Sequence, residues 1–222
     1  MNLTLFDLDG TLIPVDSDHA FGSFMVEVGW VDGAAWGSRN DEFFAQYNAG
    51  TLDLAAYIDF ATSAWRSRPL DEALAMRERF MAEVMRPALR PEAVALVEQH
   101  RAAGDLIAVV TATNAFVTAP IAQAFGVEHL IAVNLQRDAE GRYTGAIDGI
   151  PSFREGKIAR VESWLRGLGA QWHDFERVHF YSDSTNDLPL LERVSHPVVT
   201  NPSPALALIA AERGWPQIQL FA

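Results

Sequence analysis

Three short, mostly apolar runs end in polar residues of a similar kind, and this pattern most narrows what the chain can fold into. Leu3-Thr4-Leu5-Phe6 stops at Asp7, Leu106-Ile107-Ala108-Val109-Val110 stops at Thr111, and Val178-His179-Phe180-Tyr181 stops at Ser182-Asp183. Runs of this length suit strands, and the unbroken apolar character of Leu106–Val110 suits a strand covered on both faces. Between them lie longer stretches of helical period. Glu92–Ala103 is bracketed by Pro91 and Gly104, Glu155–Gly169 carries Ile158, Val161, Leu165 and Leu168, and Pro204–Arg213 follows a capping Ser203. Strands alternating with helices imply an α/β fold with a largely parallel sheet, whose strand carboxyl ends collect polar residues in one crevice. His196-Pro197-Val198-Val199 reads as a further strand, placed at an edge by its proline.

The interval from about residue 15 to 88 breaks the alternation. It has no convincing strand and three amphipathic stripes: Ala20, Phe21, Phe24, Met25 and Val28 behind a capping Ser17; Leu54, Tyr57, Ile58, Ala61 and Trp65; and Leu70, Leu74, Met81 and Val84. A crossover between parallel strands needs only about a dozen residues, so this interval reads as an inserted helical subdomain. The expected division is a core of residues 1–14 and 88–222 with an all-helical insert of residues 15–87.

Composition removes several classes of function. The 222 residues include no cysteine, which excludes a disulfide framework, a thiolate metal site and a cysteine nucleophile. Seventeen basic against 29 acidic residues give a net charge of −12, the wrong sign for a nucleic-acid partner or an anionic membrane surface. No stretch approaches the roughly 20 apolar residues of a membrane span. Met1–Asp7 lacks a basic leader, so a cytoplasmic protein is expected.

Asp7 and Asp9 project the same way if the extended geometry of the first run persists. Two carboxylates so close resist joint ionisation unless a cation joins them or one keeps a proton; the same residues also fit an ordinary strand ending in an Asp-Gly turn. Thr111, with the backbone N–H groups that follow it, suits an anion at a helix start, or simply a helix cap. Asp183 and Asp187 offer hard oxygen ligands to Mg²⁺, or the acidic first turn of a helix. Gly156-Lys157 opens an amphipathic helix, where a lysine is ordinarily solvated, and the glycine spacing before it is not that of a P-loop.

Taken in order, Asp7-x-Asp9-Gly10-Thr11, Thr111, Lys157 and Asp183-x-x-x-Asp187 resemble the four motifs of the haloacid dehalogenase superfamily. The helical insertion between the first two resembles that superfamily's C1 cap. Ser182–Leu191, Asn201–Leu206 and Gly141-Arg142-Tyr143-Thr144-Gly145, a hairpin ahead of the lysine, are similar to the phosphoserine-phosphatase-like subfamily IB hydrolases. The resemblance covers essentially the whole chain. It implies a Rossmann-like α/β core and a Mg²⁺-dependent phosphomonoesterase for a small phosphorylated metabolite. It implies that Asp7 is the nucleophile that becomes an aspartyl-phosphate, and that Asp9 protonates the leaving alcohol and then activates water. Thr111 and Lys157 would hold phosphoryl oxygens. Mg²⁺ would rest on the Asp7 carboxylate, the Asp9 backbone carbonyl and Asp183, with Asn186 and Asp187 supporting metal or phosphate. A phosphotransferase or mutase on the same fold and a non-catalytic module remain open beside the hydrolase.

Substrate preference rests on departures from the pattern. Phosphoserine phosphatases usually carry serine where this chain has Gly10, and Ser-Gly-Gly where it has Thr111-Ala112-Thr113. These changes point away from phosphoserine and towards histidinol phosphate or another amino-alcohol phosphate. Asp16 matches the acidic position that faces the substrate amine in those enzymes, and equally suits the start of the first insert helix. Thr113, Asn114 and Arg66, with Arg39 and Arg68 as further arginines, are the other substrate-contact candidates. Trp36, Phe43, Phe44, Tyr47 and Trp65 are expected to form the insert's own core.

Overall fold

The computed structural model describes residues 1–221; residue 222, the last of the expected core segment, lies outside the described residues. In chain order, β1 (Leu3–Phe6) leads to α1 (Ser17–Glu27), α2 (Gly33–Asn48), α3 (Leu54–Arg66), α4 (Leu70–Phe80), a π turn over Met81–Met85 and the short α5 (Arg86–Ala88). There follow α6 (Pro91–Ala102), β2 (Leu106–Asn114), α7 (Ala115–Ala124), β3 (His129–Val133), β4 (Leu135–Arg137), β5 (Tyr143–Ile147) and α8 (Glu155–Gly167). β6 (Val178–Ser182), α9 (Leu188–Arg193), β7 (His196–Thr200), α10 (Pro204–Arg213) and β8 (Gln217–Ile218) complete the order.

Six strands form one sheet in the order β3-β2-β1-β6-β7-β8, and every neighbouring pair is parallel. The chain builds outward from β1 first through β2 and β3, then through β6 to β8. The carboxyl end of β1 therefore lies at the point where strand order reverses, the usual crevice for a ligand in such sheets. Alternation along β1 decides which residues face which layer. Leu3 and Leu5 join the apolar cluster that holds Val161 and Leu165 of α8, whereas Phe6 joins Val109 and Phe116 on the other face. Asp7 continues the Leu3–Leu5 side and is carried under α8. In α8, Lys157, Val161 and Leu165 recur every fourth residue and all are buried, so the lysine begins the stripe that packs on the sheet.

Two local expectations are corrected. β7 is not the edge strand, because β8 pairs with its Val199 and Thr200. Pro197 opposes Phe180 of β6 and precedes the part of β7 that β8 covers, so the proline withholds no donor from that neighbour. α1 is capped by Asp16, whose carboxylate accepts from the His19 backbone N–H at 2.8 Å, and Ser17 is its first helical residue.

Residues between β1 and α6 are helical throughout their regular elements. Their apolar residues do not close a core of their own. Phe21, Phe24, Trp65 and Phe80 belong to the same cluster as Phe6 and Phe116, and Trp65 stacks on Phe116 with ring centroids 4.0 Å apart. The π turn shifts the phase of the stripe begun in α4, burying Met81 and Met85 while Leu70 stays exposed. β4 and β5 form the antiparallel hairpin expected around Gly141–Gly145. Among the described residues no helix is long and apolar enough to cross a membrane.

Candidate active site

Lys157 is the most constrained polar residue of the crevice. It is only 1% exposed, and its Nζ donates to Asp7 Oδ1 at 2.9 Å and to Asp187 Oδ2 at 2.8 Å. The helix can start so close to the sheet because residue 156 is glycine: a Cβ there would lie 2.1 Å from the Pro151 carbonyl oxygen. Burial opposes the lysine's charge, but Asp187 and Asp7 outweigh it and hold the ammonium above the ordinary lysine pKa. Asp187 is fixed from a second side by the Ser182 hydroxyl, 2.8 Å from Oδ2. This lysine is therefore not a solvated helix-start residue.

Asp7 and Asp9 line one cavity but are held by different elements. Asp7 Oδ2 has no hydrogen-bond partner among the described residues, Lys157 being bound to Oδ1. Burial chiefly pushes Asp7 up to about 7, with Lys157 pulling the other way and Asp187 and Asp9 adding to the rise. Asp9 Oδ1 accepts the Ser17 backbone N–H at 2.7 Å, and its Oδ2 accepts the Thr113 hydroxyl at 2.9 Å. Burial, then the Asp16 charge, raises Asp9 to about 7 as well, against those hydrogen bonds. A carboxyl poised near neutrality and oriented on both oxygens suits a group that gives and takes protons. Thr111 is buried, and its hydroxyl accepts the Thr113 N–H at 3.1 Å, which ties the two threonines together.

Asp183 lies against Gly10. The glycine has φ +73°, and a Cβ there would stand 2.3 Å from Asp183 Oδ2, so the Asp-Gly turn is what admits the second carboxylate. Asp183 accepts the Thr11 hydroxyl at 3.2 Å. Burial and the charges of Asp7 and Asp187 raise it well above the carboxylate range, because Lys157 is taken up by the other two aspartates. An oxygen donor set with more negative charge than one ammonium balances fits a hard divalent cation. Among the described residues no three His, Cys, Asp or Glu side chains meet at one metal position.

The cavity enclosed between the strand ends and the insert is small, about 30 Å³. Strand ends contribute Asp7, Asp9, Thr111 and Thr113 to its wall. The insert contributes Asp16, Asp18, Phe43, Phe44, Tyr47 and Tyr57. The expectation for the insert aromatics is thus corrected in part: Trp36 packs within the insert, on Phe60, Trp65 packs on Phe116 of α7, and Phe43, Phe44 and Tyr47 reach the cavity. Asn114 caps α7 through Val117 N–H and donates to Asp18 Oδ1 at 3.2 Å. Asn186 donates from Nδ2 to the Tyr47 carbonyl at 3.2 Å and accepts from Arg154.

Arg66 is not brought to the cavity. It pairs with Asp59 at 2.6 Å, bonds the Thr62 hydroxyl, and lies across Gly145 of β5, where it joins α3 to the hairpin. Arg39 pairs with Glu42, and Arg68 bonds the Trp30 carbonyl. Two residues escape sequence reasoning. Asp18 looks like an acidic first-turn residue of α1 yet is 6% exposed, and burial with the charges of Asp16 and Asp9 pushes it up to about 8. Arg154, the cap residue of α8 at φ 50°, donates to the Gly50 carbonyl and to Asn186 Oδ1, bridging the core to the end of α2.

The model of the haloacid dehalogenase-like hydrolases matches residues 4–192. A histidinol-phosphatase of Neisseria meningitidis is 40% identical over 215 residues, 97% of either chain. A Bordetella pertussis crystal structure of unknown function is 50% identical with a TM-score of 0.94, covering 99% of both chains. A substrate-bound phosphoserine phosphatase shares the fold at 15% identity, with a TM-score of 0.68 over 99% of this chain and 93% of that one. The family model over residues 4–192, with a relative 40% identical along nearly the whole chain, makes this chain a member of the haloacid dehalogenase-like hydrolases.

Proposed function

We propose that the protein is a Mg²⁺-dependent phosphomonoesterase acting on an amino-alcohol phosphate, with histidinol phosphate first among the candidates. The observation that carries this reading is the Lys157 ammonium fixed between Asp7 and Asp187, beside a second carboxyl, Asp9, held on both its oxygens. A carboxylate nucleophile can meet a phosphate anion only where positive charge has been assembled beforehand. Asp7 and Asp183 with the Asp9 carbonyl would hold Mg²⁺, which when bound supplies further positive charge against the phosphoryl oxygens.

In this mechanism Asp7 Oδ2 attacks phosphorus as the ester P–O bond breaks. The electron pair departs on the alcohol oxygen, which takes the proton of Asp9. Asp9, now a carboxylate, removes a proton from water; the hydroxyl oxygen bonds to phosphorus, and the acyl phosphate bond to Asp7 opens. Thr111 and Lys157 bind phosphoryl oxygens, and the Thr113 hydroxyl keeps Asp9 aligned for both transfers.

Substrate charge follows from the wall of the cavity. It carries Asp7, Asp9, Asp16 and Asp18 and no Arg, Lys or His among the described residues. A substrate carboxylate, such as phosphoserine has, would meet no cation there, whereas an amine or imidazole would meet acids. The 40% identity to a histidinol-phosphatase supports the same choice. Screening purified protein and Asp7→Asn with Mg²⁺ against a panel of phosphorylated metabolites tests the proposal. Asp7-dependent phosphate release that is fastest from amino-alcohol phosphates is expected; fastest release from phosphoserine, or none from any ester, overturns it.

A further inference from the structure

Asp18 has no part in the reaction just described, yet one of its carboxyl oxygens is left unsatisfied. Its Oδ1 accepts from Asn114 Nδ2 at 3.2 Å, but its Oδ2 is fully buried and has no hydrogen-bond partner among the described residues. A buried acceptor left unpaired is costly, about 1–3 kcal/mol and more for a charged group. A chain that keeps one beside its reactive carboxylates keeps it for something that arrives. Asp16, the neighbouring acid, is already occupied in capping α1 through His19 N–H. Lys157 cannot turn to Asp18, being bound by Asp7 and Asp187.

The surroundings specify what arrives. Tyr57 flanks Asp18; burial first, then the charges of Asp18 and Asp16, hold its phenol protonated. Phe43, Phe44 and Tyr47 line the same cavity, and aromatic faces attract cations. Acid and aromatic groups together, with no basic residue on the wall, suit a positively charged N–H donor. We infer that Asp18 is a specificity-determining residue whose free Oδ2 receives an N–H from an ammonium or imidazolium group of the substrate, remote from its phosphate ester. This rests on the phosphatase reading above and adds to it the residue that reads the alcohol.

The test compares Asp18→Asn with the wild type on two esters, histidinol phosphate and p-nitrophenyl phosphate, in the presence of Mg²⁺. Asparagine preserves the acceptor for Asn114 but replaces the free oxygen by a donor or removes its charge. The ratio of kcat/KM for histidinol phosphate to that for p-nitrophenyl phosphate should fall at least about tenfold, the lower range for a charge-assisted hydrogen bond. The fall should appear mainly in KM. An equal loss on both esters overturns the role of Asp18 and leaves the phosphatase reading standing. Absence of Asp7-dependent turnover on any ester by the wild type overturns that reading, and the Asp18 role with it. A measurement on the wild type needs no variant to fold: histidinol should inhibit p-nitrophenyl phosphate hydrolysis competitively, at least about tenfold more strongly than uncharged 3-phenylpropan-1-ol. Equal inhibition by the two alcohols overturns the inference.

Discussion

Lys157 reaches Asp7 across 150 positions of sequence, with its Nζ 2.9 Å from Oδ1 and both side chains buried. The same ammonium serves Asp187, so the pair is part of a three-membered group with two negative charges and one positive. Removing the cation leaves two buried acids without a compensating charge. Lys157→Met should therefore lower stability by about 3–5 kcal/mol and activity by about a hundredfold to a thousandfold. Adding Asp187→Asn should restore much of the stability and none of the activity, as denaturant melts and p-nitrophenyl phosphate assays would reveal. Recovery of both together would mean that Lys157 serves packing alone.

Thr113 holds the acid–base carboxyl through a 2.9 Å hydrogen bond to Asp9 Oδ2. Thr113→Ala should reduce kcat by about tenfold, corresponding to about 1.4 kcal/mol, with a smaller change in KM. Thr113→Ser keeps the hydroxyl and should retain most of the rate. Equal losses in the alanine and serine variants would count against an orienting role.

Arg154 and Asn186 tie the core to the end of α2 and the turn after it, through the Gly50 and Tyr47 carbonyls. One such bond contributes about 1 kcal/mol, so Arg154→Ala should raise amide exchange around residues 47–52 by roughly fivefold. Exchange in α8 and β6 should stay near the wild-type rate. Unchanged exchange around Tyr47–Leu52 would show that the bridge does not hold the insert against the site.

Much of this site is legible in the sequence because its parts are local. Asp7, Thr111 and Asp183 follow strand-forming runs, and a parallel sheet brings such ends together without help from any distant signal. Lys157 is harder to place, since a lysine in a first helical turn is usually in water. Only its place at the head of the Val161–Leu165 stripe marks it as inward-facing. Asp18 gives no sequence signal because acids are ordinary in a first turn, and its burial comes from α7 and α3 packing over it. β8 is only two residues long, too short to show alternation, and for that reason β7 reads as an edge. Arg66 looks free in the sequence, but its partners Asp59 and Gly145 meet it only when the hairpin folds against α3.

His179 gives the fold a pH dependence separate from the site. Its ring centroid lies 5.2 Å from that of His100 and 4.9 Å from that of His196. Burial first, then charge on those neighbours, lowers its pKa, with Asp105 opposing. The unfolded chain takes up this proton near about 6.5 and the folded chain only at lower pH. Below that unfolded value the unfolded state binds more protons, so stability is lost as pH falls and the loss is complete below the folded pKa. His179→Gln should lose less melting temperature than the wild type between pH of about 7.5 and about 5.5. A larger loss in the variant would reverse the sign argued here.

The most direct test of the account asks where the phosphoryl group goes first. Wild-type protein mixed with Mg²⁺ and a ³²P-labelled phosphate ester, then quenched in acid within one turnover, should carry label on the peptide that contains Asp7. Asp7→Asn should carry none and release no phosphate. Phosphate release without label on that peptide, or undiminished turnover by Asp7→Asn, would contradict the assignment of Asp7 as the nucleophile.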